Sequence, residues 1–163
     1  MARKLGRWLG WALVVCVLDQ VTKQLASGML DYGVPHAVVP GFNLTLLHNT
    51  GAAFSLLHEA SGWQRWFLAG VAVLVGGVVI VWMAALDAAQ RWVPLALALI
   101  LGGAIGNLVD RLLLGYVVDF VQLYYERWSW PAFNVADAAI TVGAVMLILH
   151  GPRQGRDEAT QKP

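Results

Sequence analysis

Residues 92–121 read WVPLALALILGGAIGNLVDRLLLGYVVDFV. The part from Trp92 to about Leu114 is long and apolar enough to cross a bilayer as a helix, which takes about 20 residues. Its first charged residue is Asp110, Arg111 follows at once, and Asp119 comes shortly after in Val117-Val118-Asp119-Phe120-Val121. A membrane helix that carries its charges at one end frames the rest of the reading. Three further apolar stretches qualify as spans, at about 8–26, 66–86 and 135–150, the last being the shortest. The fold expected is a mainly α membrane protein with four transmembrane helices, forming a single domain over residues 1–163.

Composition agrees. Of 163 residues, 58% are hydrophobic and 13% charged. Soluble domains run nearer ~45–50% and ~25%, so this chain lacks the polar residues to cover a soluble surface. A net charge of +1 gives no electrostatic case for nucleic-acid binding. The single cysteine, Cys16, excludes an intrachain disulfide and reads as a small buried hydrophobe.

Orientation follows from the basic residues outside the spans. Arg3, Lys4, Arg7, Arg91, Arg153, Arg156 and Lys162 fall on one side, and only Arg65 and Arg127 on the other. Seven against two puts both termini and the middle loop in the cytoplasm. The tryptophans cluster near span ends, where amphipathic rings favour the headgroup level. The N-terminus resembles a signal peptide in charge and hydropathy. No small-residue cleavage site follows directly, and Asp19 and Lys23 interrupt it, so an uncleaved first helix is expected.

The connection between spans one and two is too long for a tight turn. Phe42, Leu44 and Leu46 alternate with Asn43 and Thr45, a strand pattern. Asn49-Thr50-Gly51 is a turn signal, and residues 52–57 offer a partner strand. A small extracytoplasmic sheet over about 29–60 is expected, followed by a short interfacial turn at 61–67 that could serve as a lid. Gly102 and Gly106 would let another helix approach span three closely. The tail, 152–163, reads as disordered.

Ionisable residues inside or beside membrane spans are costly and raise a functional question by default. Asp19 and Lys23, four apart, share a helix face, as an ion pair or as a substrate contact. Asn107 shares a face with Asp110 and Arg111. Arg111 then needs an acceptor elsewhere, either Asp119 or backbone carbonyls. Asn134 and Asp137 have the spacing of an N-cap and its returning carboxylate at the start of span four. Each aspartate alone has a structural explanation.

Asp119 and Asp137 nevertheless fall on the same side of the membrane, joined by a short connection containing Trp128, Trp130 and Pro131. Two carboxylates about 3 Å apart share a proton. One can then take a proton from water while the other polarises a carbonyl. No Ser–His–Asp or Cys–His set is evident, and His36, His48 and His58 lack zinc-site spacing. A small transporter or ion pathway is the alternative. It predicts charges spread through the bilayer depth, whereas these gather near one face. A structural assembly subunit, using the Gly-rich third span, leaves the two aspartates unexplained.

Five segments in order resemble the lipoprotein signal peptidase (signal peptidase II) family, bacterial inner-membrane aspartic proteases with four helices. They are Asp19-Gln20-Val21-Thr22-Lys23, Asn49-Thr50-Gly51-Ala52-Ala53-Phe54-Ser55, Gly102 to Arg111, Val117-Val118-Asp119-Phe120 and Phe133-Asn134-Val135-Ala136-Asp137. The resemblance implies a catalytic dyad of Asp119 and Asp137. It implies substrate-binding or supporting roles for Asp19, Lys23, Asn49, Gly51, Asn107, Asp110, Arg111, Asn134 and Ala136. It further implies cleavage of diacylglyceryl-modified prolipoproteins just before the lipidated Cys, without metal or cofactor, by an enzyme that binds the inhibitor globomycin and contacts membrane lipids. A monomer is expected, since one chain supplies both aspartates. His48 matches no diagnostic position of the family.

Overall fold

The computed structural model describes residues 2–51, 62–87 and 89–150, with side chains from Leu5 onward. The elements are α1 (Ala2–Met29), β1 (His36–Val39), β2 (Phe42–Asn49), α2 (Trp63–Ala85), α3 (Trp92–Leu113), β3 (Val117–Tyr125), β4 (Trp128–Ser129) and α4 (Val135–His150). Three helices are long and apolar enough to cross a membrane: α1 from Leu5, α2 and α3. The fourth, α4, has 16 residues. At 1.5 Å per residue it is about 24 Å long, short of the ~30 Å hydrocarbon core.

α3 is the hub. It packs on α1, α2 and α4, most extensively on α4, and its Ala96, Leu97, Ala98 and Leu101 are almost fully buried. Small residues make the close approaches possible. A Cβ on Gly102 would lie 2.5 Å from the Ala12 carbonyl oxygen, and one on Gly106 2.5 Å from Asp19 Oδ2, so that pair of glycines receives α1. Gly103, on a neighbouring face, lies against the Ala136 carbonyl of α4. The Gly-rich run therefore brings two helices in at once. By contrast α2 leans chiefly on α3 and leaves Val73, Leu74 and Val81 more than 60% exposed, a surface suited to lipid.

The sheet differs from the sequence expectation. It has four antiparallel strands in the order β1-β2-β3-β4. β2 is the alternating segment, as read, but its partners are β1 and β3, and β3 comes from the connection between α3 and α4. The expected partner at 52–57 lies outside the described residues. The sheet is thus shared by two connections rather than confined to the one after α1. The β2–β3 pairing, which local patterns do not reach, spans some 70 positions, with Leu47 opposite Asp119 and Asn49 opposite Val117. The β-branched run around Asp119 is the central strand that pairing needs.

The segment after Asp119 is likewise ordered rather than a plain loop. β3 turns through Glu126, which has φ 51, into β4. The chain then returns so that Phe133 bridges Val121, with Val121 N–H donating to Phe133 O at 2.9 Å and Phe133 N–H to Val121 O at 3.0 Å. This return sets Asn134 beside Asp119. The expected separate turn at 61–67 is, from Trp63 on, the first turn of α2.

Candidate active site

At the end of α3 that faces the sheet, three helices and two strands converge on buried polar side chains. Asp19, Lys23, Asn107, Asp110, Asp119 and Asn134 are each at most 8% exposed. Burial at this depth demands partners for every charge and donor.

The inner half is an ion cluster. Lys23 Nζ lies 2.8 Å from Asp19 Oδ2 and 3.0 Å from Asp110 Oδ2, and donates to Asn107 Oδ1 at 2.9 Å. The i,i+4 pair read from α1 is present, and Asp19 also reaches a second helix: its Oδ1 accepts the Ala136 N–H at 2.8 Å. An α1 carboxylate thus caps α4, where the helix dipole favours negative charge. Asp110 accepts from Val118 N–H at 3.0 Å and Gln20 Nε2 at 2.8 Å, tying α3 to β3 and α1. Sequence reading passed over Gln20, a neutral residue within a charged motif. Its position one after Asp19 and three before Lys23 was the available signal.

The outer half holds the two remaining aspartates. Asn134 is the N-cap expected of it: its Oδ1 accepts the Asp137 N–H at 2.9 Å. Asp137 Oδ1 accepts from Asn107 Nδ2 at 2.7 Å. Asp119 is held on both oxygens, Oδ1 by Asn134 Nδ2 at 2.7 Å and Oδ2 by Asn49 Nδ2 at 3.1 Å. Burial, and then the nearby Asp137, push the Asp119 carboxyl up to about 7 against the opposing effect of those two amides and Lys23.

The three asparagine amides are locked against flipping. Asn49 Oδ1 accepts the Gly51 N–H at 3.1 Å, Asn134 Oδ1 accepts a backbone N–H, and Asn107 Oδ1 accepts an ammonium. None of those donors can accept, so each NH2 must face an aspartate. Arg111 uses backbone carbonyls, one of the two options read from sequence: Nη1 donates to Asn107 O and Nη2 to Gly51 O, each at 3.3 Å. All eleven residues singled out in the sequence therefore belong to one hydrogen-bonded network.

The two halves differ in access. Asp119, Asp137, Asn49, Asn107 and Arg111 line a cavity of about 1070 Å3; Asp19, Lys23 and Asp110 do not. Its other walls include Ile140, Thr141 and Val142 of α4, and Tyr32, Leu47 and His48 near β2. His48 is held between Tyr32 and Tyr116, with ring centroids 4.8 and 4.0 Å away. Burial pushes its imidazole below the ordinary value. Sequence reading placed neither Tyr32 nor His48 in the site, because no spacing rule links them across the turn that brings them together.

Comparisons with known proteins bear on the family and the fold. The family model for signal peptidase (SPase) II matches residues 11–151. A lipoprotein signal peptidase of Teredinibacter turnerae is 55% identical over 143 residues, covering 87% of this chain and 84% of that protein. One from Cupriavidus taiwanensis is 51% identical over 149 residues, covering 91% and 84%. A solved structure described as a bacterial membrane enzyme superposes with a TM-score of 0.80 at 28% identity, covering 96% of this chain and 92% of its own. Motif order, fold and these similarities converge: this membrane protein belongs to the signal peptidase II family.

Proposed function

We propose that the chain is an aspartic endopeptidase that removes signal peptides from diacylglyceryl-modified prolipoproteins, cutting just before the lipidated Cys. The observation that carries this reading is the pair Asp119 and Asp137, each held by a locked amide and both on the wall of one cavity beside the ends of membrane helices. Relatives named lipoprotein signal peptidase supply the substrate class.

In this reading four helices span the bacterial inner membrane, with α4 extended to span length by its flanks and both termini cytoplasmic. The single domain acts as a monomer, with Asp119 and Asp137 near the extracytoplasmic face. The signal segment enters laterally and its lipid stays in the bilayer. The apolar α4 wall, Ile140 and Val142, suits the signal segment, and the sheet side suits the unwound chain near the scissile bond. Water held between the carboxylates attacks the carbonyl, one carboxylate taking a proton and the other giving one. Asn107, Arg111 and Asn134 orient the carboxylates, and globomycin occupies the same cavity.

The test uses purified full-length protein with lipidated and unlipidated precursor, with and without globomycin. Cleavage only of the lipidated form, blocked by globomycin, is expected. Asp137→Asn is the sharpest variant, because asparagine keeps the helix start while losing the proton chemistry. Near-normal turnover by Asp137→Asn or Asp119→Asn would overturn the dyad.

A further inference from the structure

The dyad carboxylates sit in unequal surroundings, and the difference bears on which of them holds the proton. Asp137 occupies the first turn of α4, where the helix dipole favours negative charge. Its amide donor, Asn107, is in turn held by the Lys23 ammonium, so a full positive charge stands one side chain away. Asp119 lies within a strand, at no helix end, and its two donors are neutral amides whose oxygens face backbone N–H groups. Around it stand Asp137 from α4, Lys23 from α1, Asp110 and Arg111 from α3, and His48 beside Asn49 on β2. Asp110 is already taken up by Lys23, Gln20 and Val118, and Arg111 by carbonyls.

Two like charges side by side in one buried site do not both persist, so the proton goes to the carboxylate whose charge is less well stabilised. We infer that the shared proton rests on Asp119 and that Asp137 enters the reaction as the ionised base, an assignment that rests on the dyad reading above. The rise of the Asp119 carboxyl to about 7 agrees with it. Because both Asp119 oxygens already accept from locked amides, the proton takes a lone pair those amides leave free.

The proton inventory closes. Asp137 takes a proton from water as its oxygen bonds to the scissile carbon, and Asp119 gives its proton to the carbonyl oxygen. In the resulting gem-diol both protons are accounted for. On collapse Asp137 passes its proton to the amide nitrogen as the C–N bond breaks. Asp119 recovers a proton from a diol hydroxyl, and the resting state returns.

The assignment predicts which amide controls which limb of the pH profile. The alkaline limb of kcat/KM reports loss of the Asp119 proton. Asn49→Ala removes a donor that favours ionised Asp119, so this limb should move up by about one pH unit. Asn107→Ser removes the 2.7 Å donor to Asp137, reaches the Asp119 side only through a long 3.4 Å contact from Asn134 Nδ2, and should leave that limb in place. The measurement uses the full chain in detergent with a diacylglyceryl-modified prolipoprotein. Movement with Asn107→Ser but not Asn49→Ala, or with neither, overturns the assignment. An infrared band of a protonated carboxyl that shifts in Asn49→Ala and not in Asn107→Ser supports it independently of turnover; the reverse pattern overturns it. Failure of the dyad itself would look different, since Asp119→Asn or Asp137→Asn would then still cleave.

Discussion

Two pairs of aspartates lie at the same end of α3, and they are compensated in opposite ways. Asp19 and Asp110 share the Lys23 ammonium and take the remainder of their bonds from Ala136 and Val118 N–H groups and Gln20. They join α1, α3, α4 and β3 and are shut off from the cavity. Asp119 and Asp137 make no ion pair within 4 Å among the described residues and are held chiefly by neutral amides. They face the cavity. A paired charge is fixed in place, whereas a carboxylate held by amides keeps its proton exchangeable. The comparison teaches that a polar cluster in a membrane protein divides by the sign of its partners as well as by depth.

The widest separation of the two pairs comes from isosteric variants. Asp119→Asn and Asp137→Asn should each lower kcat by about 10³-fold or more, on the scale of a lost acid or base. The purified protein should still unfold near the wild-type temperature. Lys23→Met should act first on stability. It leaves two buried carboxylates without their cation, a loss of about 3–5 kcal/mol, read as a large fall in thermal midpoint in detergent. A Lys23→Met protein as stable as wild type would mean that the ion cluster does not hold the helices together.

A smaller effect sharpens the link between the pairs at the start of α4, where Asp19 bonds Ala136 and Gly103 lies against the Ala136 carbonyl. Gly103→Ala forces α4 away from α3 beside Asp137. Gly143→Ala meets the Ala96 carbonyl at 2.6 Å, farther along α4. Both should cost on the order of 1–3 kcal/mol by overpacking. Activity per folded molecule should fall about tenfold or more in Gly103→Ala alone, because misplacing a reacting group is costly. Equal activity losses in the two variants would show that α4 moves as a unit and that the Asp19 contact does not set the position of Asp137.

The same contrast explains what was legible in the sequence. Charges in an apolar chain stand out, so Asp19, Lys23, Asp110, Arg111, Asp119 and Asp137 could all be named from it, and the Asn134 cap could be read from its spacing. Those features depend on neighbours three or four positions away. What stayed hidden depends on long-range pairing. The union of β2 with β3 brings Asn49 to Asp119 across 70 positions, and Asp19 reaches Ala136 across 117. The amide orientations that hold Asp119 and Asp137 follow only once those partners are in place. Tyr32 and His48 were missed for the same reason.

The smallest predicted effect tests whether the wall of the cavity shares in the proton chemistry. His48 precedes Asn49, and its ring lies between Tyr32 and Tyr116, nearly parallel to the latter at 21°. Aromatic contacts of this kind contribute about 0.5–1.5 kcal/mol. Losing them would loosen the end of β2 from which Asn49 reaches Asp119. His48→Ala should therefore reduce kcat/KM about 2–5-fold, and His48→Phe, which keeps the stacking surface, should restore most of it. The pH profile adds the deciding reading. Burial pushes the His48 imidazole below the ordinary value, which argues against it as the group whose deprotonation ends activity near neutrality. The alkaline limb of His48→Phe should coincide with wild type. If the limb vanished in that variant, the titration near neutrality would belong to the imidazole, and the contrast between amide-held and ion-paired carboxylates would lose its functional meaning.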